Sequence, residues 1–388
     1  MLVPAEELQT RTAALQGRLR ERGIDAALVV EAADLVYLTG TVQNAHLIVP
    51  ATGEPLLLVR RDVDRARAES RLRSIEPLTS LRGLPDAVRR AAGHVRRLGL
   101  ELDVLPAAAY LRYGRMWPDV ELVDVSAALL DVRSRKSDWE VARIRAACGQ
   151  VMAAHRTARE ALRPELTDLD LQILLEERLR RLGHQGPMRF RGLNGEMFFG
   201  AVMTGPDAAL PAYSETPLGG PGPSPAVGRG AKGSAHKVGM AMVVDLCGAR
   251  DGYLSDATRT LFSERLDPPL DHALQVCELI LTELEALLVP GVPASTLYTR
   301  GLELAQEAGF GDAWMGHGPG RVRFVGHGVG LEINEAPVLA VGNDAPLMAG
   351  NVVAVEPKLV FPGLGAVGRE NTYLVRAAGG PETLTIDV

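Results

Sequence analysis

Leu8, Leu15 and Leu19 recur at helical spacing among charged residues, and Gly23 ends the pattern, which predicts an amphipathic opening helix. Four apolar runs follow, AALVV (26–30), LVYLTG (35–40), AHLIVP (45–50) and PLLLVR (55–60), alternating with turn signals and short helical stretches. A helical stretch near Leu81–Arg97 and a strand-like ELVDVS (121–126) complete the series. Such alternation predicts a small N-terminal α/β domain, residues 1–131.

A new period then takes over. Trp139, Val141, Ile144, Ala147 and Val151 sit three or four residues apart, predicting one long amphipathic helix through 131–162 and the start of a second domain, residues 132–388. A further helix from Asp168 to Leu182 carries Leu169, Leu171, Ile173, Leu174 and Leu179 and closes at Gly183. Residues 205–235 are so rich in Gly, Pro and Ser that neither helix nor central strand can run through them. A loop of that length is either functional or disordered, and the sequence leaves both open. No internal repeat recurs at a fixed period, which argues against a solenoid.

Chemistry concentrates in the second domain. AMVVDLCGARDGYLSDATRTLF (241–262) predicts a β-hairpin, with Asp245 at the end of an apolar run, a tight turn around Ala249–Gly252 and Asp256 on the returning strand. Two acids on opposing strands can face each other, and a buried pair repels unless a cation or a shared proton lies between them. Alone, the two aspartates would read as strand-end acids in water. Three other segments change that reading. His327 lies in the glycine-rich FVGHGVGLEINEAP, Glu356 ends the apolar run NVVAVE ahead of Pro357, and Glu370 precedes a β-rich stretch. Four acids and one imidazole, each at the lip of an apolar strand or in a Gly turn, suit hard or borderline divalent cations over thiolate-binding ones. So many anions around one ion would be overcharged, so the pattern predicts two ions sharing bridging carboxylates.

Composition narrows the partners. Lys and Arg total 42 against 48 Asp and Glu, a formal net charge of −6, so neither nucleic acid nor an anionic membrane surface is expected as partner. No apolar stretch approaches the ~18 residues that read as a membrane-spanning helix, and the N-terminus lacks the marks of a signal peptide. The cysteines Cys148, Cys247 and Cys277 are odd in number and widely spaced, which fits a reduced, cytoplasmic setting. Cys247 reads as a small buried hydrophobe, or else as an oxidation-sensitive neighbour of the metals.

VDLCGARDGYLSDATRT, GHGVGLEINEAP and VEPKLVFPG followed by GRE place the five candidate ligands 11, 71, 29 and 14 residues apart. In these motifs the chain resembles the pita-bread metallohydrolases, a family including methionine aminopeptidase, aminopeptidase P, prolidase and creatinase. The resemblance covers most of the chain and is nearest to the two-domain, prolidase-like Xaa-Pro peptidases. It implies a small creatinase-like N-terminal domain, a pita-bread catalytic domain, and two divalent ions per subunit (Mn²⁺, Co²⁺ or Zn²⁺). Asp245 would bind one ion with both oxygens, Asp256 and Glu370 would bridge, and His327 and Glu356 would hold the other. The implied reaction is attack of a metal-bridging hydroxide on the peptide carbonyl. Glu356 would carry a proton to the leaving nitrogen, which in an Xaa-Pro bond has no N–H of its own. A homodimer is implied as well, with the partner subunit's N-terminal domain or the 205–235 segment closing the site around a small peptide substrate.

The chain departs from the family pattern at three positions. The second His, seven residues after the metal-binding one, is replaced by Asn334, which can donate a hydrogen bond to an oxyanion but cannot transfer a proton near neutral pH. Another His is replaced by Ala212, and the Arg two residues before the last Glu by Gly368. A dipeptidase needs a cation for its substrate's carboxylate, for which Arg189, Arg191 and Arg369 are candidates, with Tyr213 as a further substrate contact. Each Arg otherwise reads as a solvated surface residue, and Arg259 as an anchor of the hairpin. Besides Xaa-Pro cleavage, two alternatives stand: another metal-dependent C–N hydrolysis, in the manner of creatinase or ectoine hydrolase, and a non-catalytic binding protein retaining the fold.

Overall fold

The computed structural model describes residues 2–386. The chain divides into two compact units, Met1–Arg133 with Arg191–Gly195, and Ser134–Phe190 with Glu196–Val388.

In the N-terminal unit the opening helix α1 (Ala5–Glu21) buries Leu8, Leu15 and Leu19, and the chain turns at Gly23. Then come β1 (Ala26–Val29), α2 (Ala32–Thr39), β2 (Ala45–Pro50), β3 (Leu56–Val59), α3 (Val63–Glu69) and β4 (Ser74–Pro77). They are followed by α4 (Leu84–Ala92), β5 (Arg97–Leu100), α5 (Ala107–Met116), β6 (Glu121–Asp124) and α6 (Ser126–Ser134). The apolar run at 35–40 is the body of α2, which the Glu31 carboxylate caps by accepting from the amides of Ala33 and Asp34. β5 and α5 have no counterpart in the sequence reading, because RLGL and AAAYLRYGRM are too short and too weakly patterned to separate from their flanks. The six strands form a mixed sheet in the order β4-β3-β2-β1-β5-β6.

In the C-terminal unit the stretch expected to be one long helix is broken. α7 (Asp138–Ala161) begins afresh because Ser137 and Glu140 form a reciprocal cap, each side chain bonding the other's amide. Between α6 and α7, Arg135 bridges to Asn351 instead of continuing a helix. α8 (Asp168–Arg181) follows, and with α7 it packs Val151, Leu171, Leu175 and Leu179 onto the antiparallel sheet of β7 (Gly200–Thr204), β8 (Met242–Arg250) and β9 (Tyr253–Leu261). Helices α9 (Pro268–Ala286) and α10 (Ala294–Glu307) share a core with β11 (Val352–Val355), β12 (Lys358–Phe361), β13 (Gly365–Gly368) and β14 (Asn371–Leu374), and β10 (Gly326–Gly328) and β15 (Glu382–Thr383) complete the set. These strands form a sheet ordered β10-β11-β14-β15 and a separate β12-β13 hairpin. The 205–235 stretch is a folded loop that bonds to itself through Gly220–Leu210 and Gly230–Gly219 and is pinned to α8 by Asp168, which accepts from Gly233 and Ser234. Among the described residues no helix is long and apolar enough to cross a membrane.

One buried ion pair positions the loop after β10. Lys136 Nζ lies 2.8 Å from Glu335 Oε2, both side chains being almost fully buried, while Glu335 Oε1 accepts from the amides of Leu331 and Glu332. Lys136→Met leaves that carboxylate buried without its cation and should cost about 3–5 kcal/mol of stability. Urea unfolding monitored by circular dichroism measures it, and a loss below about 1 kcal/mol, the range of surface pairs, would show that the pair does not anchor the loop.

Candidate metal centre

The β8–β9 hairpin turns on Asp251 and Gly252, both at positive φ, so its two strands pair without a bulge. Register sets Asp245 opposite Thr258 and Asp256 opposite Cys247. The two acids are therefore diagonal neighbours on one face. Asp245, at the end of the apolar run as expected, sits within a nine-residue strand, buried between apolar neighbours.

β10 brings in His327. A Cβ on Gly326 would meet the Ala354 carbonyl oxygen at 2.2 Å, and one on Gly328 would meet the Ala336 oxygen at 2.4 Å, so only glycines allow the backbone this close. His327 Nδ1 lies 3.2 Å from the Gly328 carbonyl oxygen. A carbonyl only accepts, so Nδ1 carries the proton and the Nε2 lone pair is free for a ligand. Nε2 stands 4.0 Å from Asp256 Oδ2 and 3.7 Å from Glu356 Oε1. Glu356 leaves the end of β11 with its amide bonded to Val325, and Glu370 enters β14 with its amide bonded to Thr258. Thr258 Oγ1 donates to Glu370 Oε2 at 2.6 Å.

All five predicted ligands belong to this one region, and among the described residues ligand atoms of Asp256, His327 and Glu370 converge within 4.8 Å of one another. Glu370 Oε1 is buried with no hydrogen-bond partner in the described structure. A bare interior acceptor costs about 1–3 kcal/mol, and a cation removes that cost. An oxygen-rich set with one imidazole therefore fits a hard or borderline divalent ion.

The sequence reading missed Lys358. Its side chain is 1% exposed, and Nζ lies 2.5 Å from Glu356 Oε2, 3.3 Å from Glu370 Oε2 and 3.6 Å from Asp245 Oδ2. The signal was a lone Lys in the apolar run VEPKLVF, two residues beyond a candidate ligand. Burial opposes its charge, but Asp245, Glu356 and Glu370 outweigh burial and hold the ammonium well above its ordinary range. For Asp256 burial comes first, with Glu370, Asp245 and Glu356 adding to it, and its carboxyl is pushed well up despite Lys358. For Glu370 burial, then Glu356 and Asp245, outweigh Lys358 and Thr258 and push it up to about 8. Burial first, then Asp256, also raises the Cys247 thiol, so this buried cysteine stays protonated and unreactive.

The substrate-contact candidates separate. Arg191 is committed within the N-terminal unit, Nη1 to Asp34 at 3.0 Å and Nε to Asp103 at 2.5 Å. Its guanidinium is thus consumed by an internal network, not held open for a ligand. Arg369 pairs with Glu278 and lines a cleft of about 570 Å³ with Arg163, Phe262 and Arg259, on the strand face opposite its neighbour Glu370. Arg259 is the expected anchor, donating to the carbonyls of Glu370 and Thr385 and to Asn371. Arg189 is half-buried, and its carbonyl accepts from Ile333, next to half-buried Asn334. Tyr213 is 61% exposed, and Ala212 beside it is half-buried.

Comparison with known proteins agrees with this picture. The sequence profile of metallopeptidase family M24 matches residues 142–377, and that of the creatinase/prolidase N-terminal domain matches residues 11–135. An Xaa-Pro dipeptidase of Lactobacillus delbrueckii subsp. lactis is 24% identical over 94% of each chain. The prolidase structure from Pyrococcus horikoshii OT3 superposes with a TM-score of 0.82 at 21% identity, over 98% of this chain and 99% of that one. An X-Pro aminopeptidase from Thermotoga maritima MSB8 gives a TM-score of 0.78 at 21% identity over 97% of each. The two-domain pita-bread architecture expected from the motifs is the one found.

Proton linkage tests the centre. Glu370, pushed up to about 8, holds a proton near neutral pH in the ion-free protein, and Asp256 is pushed up beside it; an ion must displace such protons, so affinity for Mn²⁺ should fall as pH drops below about 8. Calorimetry in buffers of different ionisation enthalpy should show about one or more protons released per ion bound near pH 7. The same acids act on stability: their folded pKa values lie above the unfolded ones, so the folded state holds more protons and ion-free stability falls as pH rises from 4.5 toward about 8. Affinity that stays flat across that window contradicts the assignment.

Proposed function

The chain belongs to metallopeptidase family M24, with a creatinase/prolidase N-terminal domain ahead of the catalytic one, and we propose that it is a metal-dependent peptidase cleaving Xaa-Pro bonds, of the dipeptidase or aminopeptidase P type. The observation that carries this reading is the convergence of Asp256, His327 and Glu370 with Glu356 within 3.7 Å of the imidazole. Relatives that match end to end and bear the name Xaa-Pro dipeptidase support the substrate class.

A bound divalent ion, Mn²⁺, Co²⁺ or Zn²⁺ by the chemistry of the donors, supplies Lewis-acid polarisation of the scissile carbonyl and lowers the pKa of a water. The chain does the rest. Glu356 accepts a proton and returns it to the leaving proline nitrogen, which departs only once protonated. Asn334, fixed by the Lys136–Glu335 anchor beside it, donates a hydrogen bond to the oxyanion. Arg189, tied through its main chain to the same loop, is the guanidinium for a substrate carboxylate. A homodimer, with the partner subunit's N-terminal domain or the 205–235 segment closing the site, belongs to the same proposal. So does a reducing, cytoplasmic setting, which three buried thiols without disulfides support.

The departures at Asn334, Ala212 and Gly368 favour one second reading, hydrolysis of another C–N bond on the same scaffold. A panel of Xaa-Pro dipeptides and Xaa-Pro-Yaa tripeptides, assayed with Mn²⁺ and with Asp256→Ala as control, separates the two. Turnover of at least one class and none by the control is the expected result; a metal-loaded protein inert on the whole panel passes the case to the second reading. Within an active enzyme, Glu356→Gln should lower kcat by about 10²–10⁴-fold. Asn334→Ala should lower it by about 10²–10³-fold with KM little changed.

A further inference from the structure

We infer that Lys358 is the resident second cation of this centre, and that the site takes one divalent ion per chain rather than two. The inference rests on the metal-dependent part of the reading above and is independent of the Xaa-Pro specificity.

The carboxylates are divided between two positive centres, oxygen by oxygen. Glu356 gives Oε2 to Lys358 Nζ at 2.5 Å and turns Oε1 toward His327 Nε2 at 3.7 Å. Glu370 gives Oε2 to Lys358 and to Thr258, while its Oε1 has no hydrogen-bond partner among the described residues. Asp245, which lies outside the convergent group, has Oδ2 3.6 Å from Nζ. The ammonium thus already joins Asp245, Glu356 and Glu370, the work a second ion would do. The convergent donors left for an ion are Asp256, His327 and the remaining oxygens of Glu356 and Glu370, with the second oxygen of Asp245 standing outside that group.

The Lys358 stem is built in. Lys358 pairs directly with Gly368 across the β12–β13 hairpin, and a Cβ on Gly368 would fall 2.5 Å from Lys358 Cγ. Any larger residue at 368 would push the stem out of its channel. With the side chain 1% exposed, the ammonium has no solvent to retreat into. A second ion on Asp245 and Glu370 would have to share both carboxylates with Nζ and would stand against a buried like charge.

Metal content of the purified full-length protein, dialysed against excess Mn²⁺ and then metal-free buffer and read by plasma mass spectrometry, decides this without substrate. The wild type should hold one ion per chain and Lys358→Gly two, with anomalous scattering locating the added ion beside Asp245. Asp245→Asn should still hold one, because Asp245 is a ligand of the ammonium. Two ions in the wild type, one in a folded Lys358→Gly, or loss of the ion from Asp245→Asn would each overturn the inference. No ion at all would overturn the metal-dependent reading with it. Failure on the Xaa-Pro panel beside a count of one would sink the substrate assignment alone.

Discussion

Four carboxylates gathered around one lysine and one histidine in a protein interior are the constraint on which the rest of this molecule turns. Burial and mutual repulsion both favour protonation, and here they raise Asp256 well up and Glu370 to about 8. Such a cluster persists only where positive charge is delivered to it and where the scaffold is stable enough to hold it. Lys358 delivers one charge from β12, and the converging ligands prepare a place for more. The scaffold's share comes from the two apolar cores, α7 and α8 on the β7–β9 sheet and α9 and α10 on the strands that follow.

Strand register then decides which chemistry is possible. Asp245 and Asp256 share a face only because Asp245 pairs with Thr258 and Cys247 with Asp256. A one-residue slip would turn one acid to the opposite face. The same holds for the neighbours of Glu370: Arg369 points away into a salt bridge with Glu278, while Glu370 points in beside Thr258. Arg259 locks this arrangement by bonding the Glu370 carbonyl from the next strand, so the hairpin and β14 cannot slide independently.

The five candidate ligands stood out in the sequence because each lies at the lip of an apolar strand or in a Gly turn, a pattern solvent-facing acids rarely show. Their grouping needed the fold, since β9, β10, β11 and β14 are joined by contacts between residues 16 to 116 positions apart. The break between α6 and α7 was hidden because the polar stretch 133–138 carries neither Pro nor Gly, and only the Ser137–Glu140 cap marks the new start. Arg191 looked free because its partners Asp34 and Asp103 lie 157 and 88 residues away. Lys358 was passed over for a different reason: a lysine in a strand ordinarily sends its charge to water, and nothing local announces that this one turns inward.

Lys358 and Gly368 are better understood as one change than as two. The family pattern commonly carries an Arg two residues before the last Glu, and this chain has Gly368 there, which in isolation is the loss of a cation. Across the β12–β13 hairpin, however, that loss opens the space the Lys358 stem occupies, since even a Cβ at 368 would strike Lys358 Cγ. Restoring a side chain at 368 without shortening 358 would overpack the strand pair. Shortening 358 alone would leave Asp245, Glu356 and Glu370 facing one another without their ammonium. Either single step lowers stability, so the two positions should be strongly non-additive. That coupling makes the inward lysine a built feature of the centre and the missing Arg its steric consequence.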